Sequence, residues 1–400
     1  MGFAALLLLT APSVGLGGRD AAAPARPTRL AWFYMRNSDS TSPATIVARS
    51  SVMILSGSDY EVGFLQKVRR AGWRKPILQY FDTAFAMGPA AARRGSCARG
   101  FEGYSTSVTW QRNVFCDVVN PHESWFVHNG KGQRIIREID GSASFYIMNP
   151  ASPGWRAFVQ SRLRLAPRHF HMSGFFLDDV WQTATRPRSR EDNSDGTCRD
   201  CGSDAQWRHG YLGFLRAAKK AAGKRPVWIN SDNTGSFVRV VDGHMIENMG
   251  ASWGDSYMSQ SEIQARWRDI DKNLRARKSV LLIGQGDGRD EIDRMRFAHA
   301  VYLMVAGPRV SFRFQNADNY RELWDYPDFR LRMGKPSGPR RRVGPSTWVR
   351  RFTAGIALAN LSSSRSQTVS LGGSYVLPDG QSATSVRLGP HQGVALVRAG

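Results

Sequence analysis

Gly174-Phe175-Phe176-Leu177-Asp178-Asp179-Val180-Trp181 is an apolar strand that runs straight into two acids and an aromatic ring. A second apolar segment, Gly243-His244-Met245-Ile246-Glu247-Asn248, also ends in a carboxylate. Working outward, short β-prone runs occur at residues 30–34, 52–55, 77–81, 174–177, 227–230, 245–247, 280–283 and 310–314. Between them lie amphipathic patterns with apolar residues recurring at three and four, clearest at 61–71, 154–165, 205–222, 260–276 and 290–305. Eight strands separated by helices predict an α/β fold of the (β/α)8 TIM-barrel type. A doubly wound sheet also alternates, but no Gly-rich phosphate turn follows the first strand, so it ranks second.

Residues 82–149 break the rhythm. They hold two cysteines, several glycines and Trp125-Phe126-Val127-His128-Asn129-Gly130, which reads as a strand entering a turn. In a barrel this is an enlarged loop after the third strand, on the face where barrels build binding sites. The tail changes character, with Ile356, Leu358, Val369, Leu371, Tyr375, Leu377, Val386, Leu388, Val394 and Leu396 in alternating runs separated by turn residues. The expected organisation is a signal peptide at 1–24, a barrel at 28–335, a Gly/Pro/Arg-rich linker at 334–345 and a small antiparallel, sandwich-like β-domain at 346–400.

The chain of 400 residues carries 55 Lys+Arg against 33 Asp+Glu, a formal charge of +22. Its 42% hydrophobic content is that of a globular protein with a large core. The base is mostly Arg and spread along the chain, with one dense block at Arg340-Arg341-Arg342, and no zinc-finger spacing or RNP-like motif accompanies it. A solvated basic surface near an anionic envelope polysaccharide is therefore expected, with no dedicated nucleic-acid partner. Residues 3–9 form an apolar run and Ala21-Ala22-Ala23 supplies small residues for cleavage, although no basic residue precedes the run. Beyond this signal-like start no transmembrane segment is expected. Cys97, Cys116, Cys198 and Cys201 are even in number, as export predicts, and suit two local disulfides, Cys97 with Cys116 and Cys198 with Cys201. A zinc site at Cys198-Arg-Asp-Cys201 competes, without a close second Cys/His pair. No metal or other cofactor is expected.

Two acids facing each other across a barrel mouth suit cleavage of a glycosidic bond, one attacking or stabilising the anomeric carbon and the other donating a proton to the leaving oxygen. With Leu177 packed outward, Asp178 points into the mouth as nucleophile or stabiliser, Asp179 supports it, and Glu247 is the acid/base. Trp32, Tyr34, Trp181 and Trp253 are candidate sugar-stacking rings at the same face. Gln79, Asp82, Asn230, Asp232, Asn248, Gln285 and Asp287 are candidate hydrogen-bonding groups for hydroxyls. Trp228, mid-strand, reads as core. Gly-x-Ser-x-Gly is absent, which argues against a serine hydrolase.

Trp32-Phe33-Tyr34, Trp125 to Gly130, Met148-Asn149-Pro150-Ala151-Ser152-Pro153-Gly154-Trp155, Gly174 to Asp179, Glu247-Asn248 and Gly389 to Leu396 together resemble hypothetical glycosyl hydrolase family 15, over most of residues 28–400. The resemblance implies a glycoside-hydrolase-like barrel. Likeness to retaining glycosidases with acids after strands four and six implies the roles given to Asp178 and Glu247. The expected function is a secreted retaining glycoside hydrolase acting on a polysaccharide or oligosaccharide. The alternative is an inactive barrel that only binds glycan.

Overall fold

The computed structural model describes residues 25–33, 41–56, 59–101, 106–139, 141–252, 254, 256–316, 320 and 323–400. The signal segment expected at 1–24, Tyr34 and Trp253 lie outside the described residues.

Eight parallel strands close a barrel: β1 Leu30–Phe33, β2 Ser50–Leu55, β3 Ile77–Asp82, β4 Gly174–Asp178, β5 Val227–Asn230, β6 Gly243–Ile246, β7 Ser279–Gly286 and β8 Val310–Asn316. Each strand pairs with its neighbours in sequence, and Leu30 opposite Phe312 joins β8 to β1. Helices Pro43–Arg49, Asp59–Arg70, Pro153–Phe170, Asp204–Ala222, Gln260–Arg275 and Ile292–Leu303 alternate with the strands, while β5 and β6 are joined through a single turn, Phe237–Arg239. Helix starts are set by local chemistry: Ser203 with Gln206, and Ser259 with Glu262, form reciprocal capping boxes, and Ser152 accepts from the Trp155 amide ahead of Pro153.

Strand parity divides the barrel into two cores. Ala31, Phe33, Val52, Ile54, Leu78, Phe176, Trp228, Met245, Leu281 and Ile283 fill the interior. Their neighbours Trp32, Met53, Ile77, Phe175, Leu177 and Ile229 pack outward against the helices. Each such fully buried side chain contributes roughly 1.5–3 kcal/mol of transfer free energy. Trp228 is interior core, as expected, and Gly243 makes room for it, since a Cβ there would fall 2.2 Å from the indole.

The segment after β3 is a three-stranded antiparallel sheet, Phe85–Pro89, Ala143–Ile147 and Ile136–Ile139, with Cys97 bonded to Cys116 beside it. Trp125 closes a short turn and is followed by isolated bridges, Phe126 to Met148 and His128 to Arg134, in place of the expected strand. Cys198 is bonded to Cys201, which takes up the thiols a zinc site would have needed. The loop carrying this second disulfide is tied to the insertion by Asp200, which accepts from the His128 amide at 2.7 Å.

Residues beyond the barrel form one six-stranded antiparallel sheet, ordered Arg341–Arg342, Thr347–Phe352, Gly355–Asn360, Gln392–Arg398, Gln367–Val376 and Ser382–Leu388. The sandwich-like domain expected from the alternation is a single hydrogen-bonded sheet whose two halves share a core of Val349, Ile356, Leu358, Val369, Leu371, Tyr375, Leu388, Val394 and Leu396. Its other face meets helix Ile292–Leu303. A Cβ on Gly393 would lie 2.5 Å from the Ala300 methyl, so only glycine permits this approach.

Candidate active site

The C-terminal ends of β3 to β8 carry the polar residues. Parity turns Asp178, the last residue of β4, to the interior side after Phe176, with Leu177 outward. By the same rule Asn230 ends β5 facing inward, and Glu247 follows Ile246 at the exit of β6. Asn230 therefore stands between the two acids. Its Nδ2 donates to Glu247 Oε2 at 3.1 Å, and its side chain also faces the Asp178 carboxyl, whose pKa it lowers.

Each acid has further donors. Tyr80, the inward residue before Asp82 on β3, donates its hydroxyl to Asp178 Oδ2, and the Asp179 amide donates to Asp178 Oδ1 at 2.9 Å. Tyr320 donates to Glu247 Oε1 at 3.1 Å and itself receives a hydrogen bond from Gln285 Nε2 at 3.0 Å. Asp179 and Asn248, the residues following the two acids, both adopt left-handed backbone conformations, with φ of 56° and 61°. Asp and Asn tolerate that region better than most residues. The chain thus turns sharply away immediately after each carboxylate.

Asp179 is held by Arg186 Nη1 at 2.8 Å and by Trp181 Nε1 at 3.1 Å, while its carbonyl accepts from the Tyr211 hydroxyl at 3.1 Å. Asp82 lies opposite Asp178 in the β3–β4 register, is 9% exposed, and accepts from the Phe85 amide at 3.2 Å. Asp82, Asp178 and Asp179 thus form an acid cluster with the Arg186 guanidinium beside it.

Burial, reinforced by Asp179 and then Glu247, pushes Asp178 up to about 7. Glu247 is raised as well, first by burial and then by the charge of Asp179. Asp82 is raised far above the ordinary carboxylate range, chiefly by burial and then by Asp179 and Asp178. Removing a second proton from closely spaced buried carboxyls is costly, so the Asp178–Glu247 pair retains one proton toward neutrality.

A cleft of about 610 Å³ opens over this mouth, within the range of small-ligand sites. Asp179, Trp181, Asn230, Asp232, Glu247 and Asn248, all expected at the site, line it, together with Arg186, Arg190, Tyr257 and Arg266. Asp232 projects at the rim and pairs with Arg266 at 3.3 Å. Three expected ligand contacts are corrected. Trp32 is fully buried on the outer face of β1, where it stacks on Phe64. Gln79 points outward from β3 and gives its amide to the Ser56 carbonyl at 2.6 Å. Gln285 is fully buried and acts on the site only through Tyr320. Tyr80, Tyr320, Arg186 and Arg190 were not expected from the sequence; Tyr80 was findable by parity, being the inward neighbour of Leu78 and Asp82.

The model of hypothetical glycosyl hydrolase family 15 matches residues 98–356, a span that contains both strand-end acids. The chain belongs to hypothetical glycosyl hydrolase family 15. This glycosyl hydrolase family accounts for the central and C-terminal parts of the barrel, whereas Trp32-Phe33-Tyr34 and Gly389 to Leu396 fall outside the matched residues. No curated protein matches the chain in sequence. Among solved structures, the glycoside hydrolase domain of PelA from Pseudomonas aeruginosa is 14% identical, covering 72% of this chain and 94% of that one with a TM-score of 0.44. Ega3 from Aspergillus fumigatus, in complex with galactosamine, is 15% identical, with coverage of 76% and 100% and a TM-score of 0.42. The cyclic α-maltosyl-(1→6)-maltose hydrolase from Arthrobacter globiformis, in complex with maltose, is 12% identical, with coverage of 89% and 90% and a TM-score of 0.45.

Proposed function

We propose that this member of the family is an exported hydrolase of poly- or oligosaccharides that works by a retaining two-carboxylate mechanism. The observation that supports it most is Asn230 standing between Asp178 and Glu247, hydrogen-bonded to the latter. One amide that donates to Glu247 and faces Asp178 sets the two carboxyls on either side of a single side chain, which suits the closely spaced acids of a retaining mechanism. One proton on the pair is also the state such a mechanism starts from.

In this reading ionised Asp178 attacks the anomeric carbon as the glycosidic C–O bond breaks, and Glu247 passes its proton to the departing oxygen. Water then enters and gives a proton to Glu247 as its oxygen bonds the anomeric carbon, releasing Asp178 as carboxylate. Tyr80 and the Asp179 amide hold Asp178, Asn230 and Tyr320 hold Glu247, and Trp181 offers a ring to a sugar face. Two disulfides support export, because such bonds persist in oxidising compartments, and no helix among the described residues is long and apolar enough to cross a membrane. Proton NMR of the first-formed reducing sugar tests the mechanism: the anomeric configuration of the substrate should be kept, and an inverted first product would overturn it.

A further inference from the structure

The opposite end of the barrel holds a second concavity, larger than the cleft. It is about 850 Å³ and opens among the N-terminal ends of the strands, where Arg29 precedes β1, Pro76 precedes β3, Pro226 precedes β5 and Arg309 precedes β8. Its rim carries Arg29, Lys75, Lys224, Arg277, Lys278 and Arg309. Lys219 adds a seventh cation, but it is engaged with Asp242, the one acid in the lining, at 2.5 Å. Asp242 is further held by the Val227 amide at 2.8 Å.

The remaining charge is uncompensated. Among the described residues Lys224, Arg277, Lys278 and Arg309 have no acidic partner, and Arg29 Nε is buried without a hydrogen-bond acceptor. Lys75 is held below its ordinary range by burial and by the neighbouring Arg29. These residues are scattered from 29 to 309 in the sequence, and only closure of the barrel gathers them. Like charges brought together in a concave, low-dielectric wall raise the local potential and attract anions.

The floor narrows the class of anion. Pro76, Pro226 and Pro308 form an apolar surface inside the cationic rim, above the buried Val52, Leu78 and Trp228. Sugar rings offer apolar faces to such a floor and, when they carry uronate or similar groups, present anions to the rim. A flat bilayer cannot enter a recessed mouth. Single-stranded nucleic acid binds through exposed rings on which bases stack, and Trp228, the one aromatic lining residue, is 8% exposed.

We propose that the N-terminal mouth of the barrel is a second glycan site, which holds an acidic polysaccharide segment while the opposite mouth carries out hydrolysis. The polymer class rests on the glycan-hydrolase reading above, whereas the location of the anion site does not.

The test is titration of the full chain with polygalacturonate at about 50 and 300 mM NaCl, beside neutral dextran, single-stranded DNA and phosphatidylglycerol vesicles at matched charge. Polygalacturonate should bind and lose at least tenfold in affinity at the higher salt, while dextran should not compete. The triple variant Lys224→Glu, Arg277→Glu, Arg309→Glu, with its melting temperature checked, should lose at least tenfold. Should it fail to fold, Lys224→Ala and Arg309→Ala, each expected to lose about two- to threefold, carry the test. The basic-rim variants should hydrolyse a short neutral oligosaccharide as the unaltered chain does, so loss of hydrolysis and loss of this site read out separately. Unchanged binding by the basic-rim variants, an equal loss of oligosaccharide hydrolysis in them, or tighter binding of DNA or vesicles would overturn the proposal.

Discussion

Asn230 Nδ2 lies 3.1 Å from Glu247 Oε2, and the same side chain faces Asp178, so one amide on β5 stands between the acids on either side of it. Asn230→Ala should therefore lower kcat by about 10- to 100-fold, because a misplaced carboxylate loses the near-attack geometry. KM should change by less than about threefold. Steady-state kinetics on a soluble oligosaccharide decide the matter; a rise in KM alone would make Asn230 a binding residue.

Division of labour between the acids can be read by chemical rescue. With Asp178→Ala, added azide should attack from the vacated side and restore at least tenfold of the lost rate, giving a glycosyl azide of inverted configuration. With Glu247→Ala the azide product should retain configuration, and substrates with good leaving groups should keep most of their first-step rate. The reverse pattern would exchange the two roles.

The proposed mechanism needs one proton on the pair. Since Asp178 is raised to about 7 by burial and by Asp179 and Glu247, the alkaline limb of a bell-shaped kcat/KM profile should fall near pH 7, as the last proton leaves the pair. Replacing Glu247 by Gln should remove that limb from the residual activity. An alkaline limb unchanged in the variant would assign it to a group outside the pair.

The same electrostatics act on stability. Both acids ionise near 4 in the unfolded chain, whereas burial raises Asp178 and Glu247 together in the folded one, so above that pH the native pair keeps an extra proton and stability falls as pH rises. Asp178→Asn removes this cost and should raise Tm at pH 8, with little change at pH 4. Thermal melts at the two pH values check it. An equal shift at both would point to packing in place of charge.

The eight strands were legible because each is a short apolar run flanked by turn residues, and sequence order is also spatial order in the barrel. Asp178 could be oriented because Leu177 beside it belongs to the outer core. The same parity, applied to every strand, would have turned Trp32 and Gln79 outward, since Ala31, Phe33, Leu78 and Tyr80 are the inward residues of β1 and β3. Other parts of the site had no local signal. Tyr320 reaches Glu247 across 73 residues of sequence, and Gln285 supports it from β7. Arg186 reads as one more cation in a basic loop until the fold sets it against Asp179 and Glu191. The basic mouth was hidden for the same reason, its charges being dispersed until the strands close.

Asp178 and Glu247 together are proposed to cleave glycosidic bonds. Reducing-end release across a panel of neutral, acidic and amino-sugar polysaccharides, measured for the unaltered chain, Asp178→Asn and Glu247→Gln, tests it most directly. Release from at least one polymer should drop by roughly 10³-fold or more in each variant. Equal product from all three proteins would contradict it.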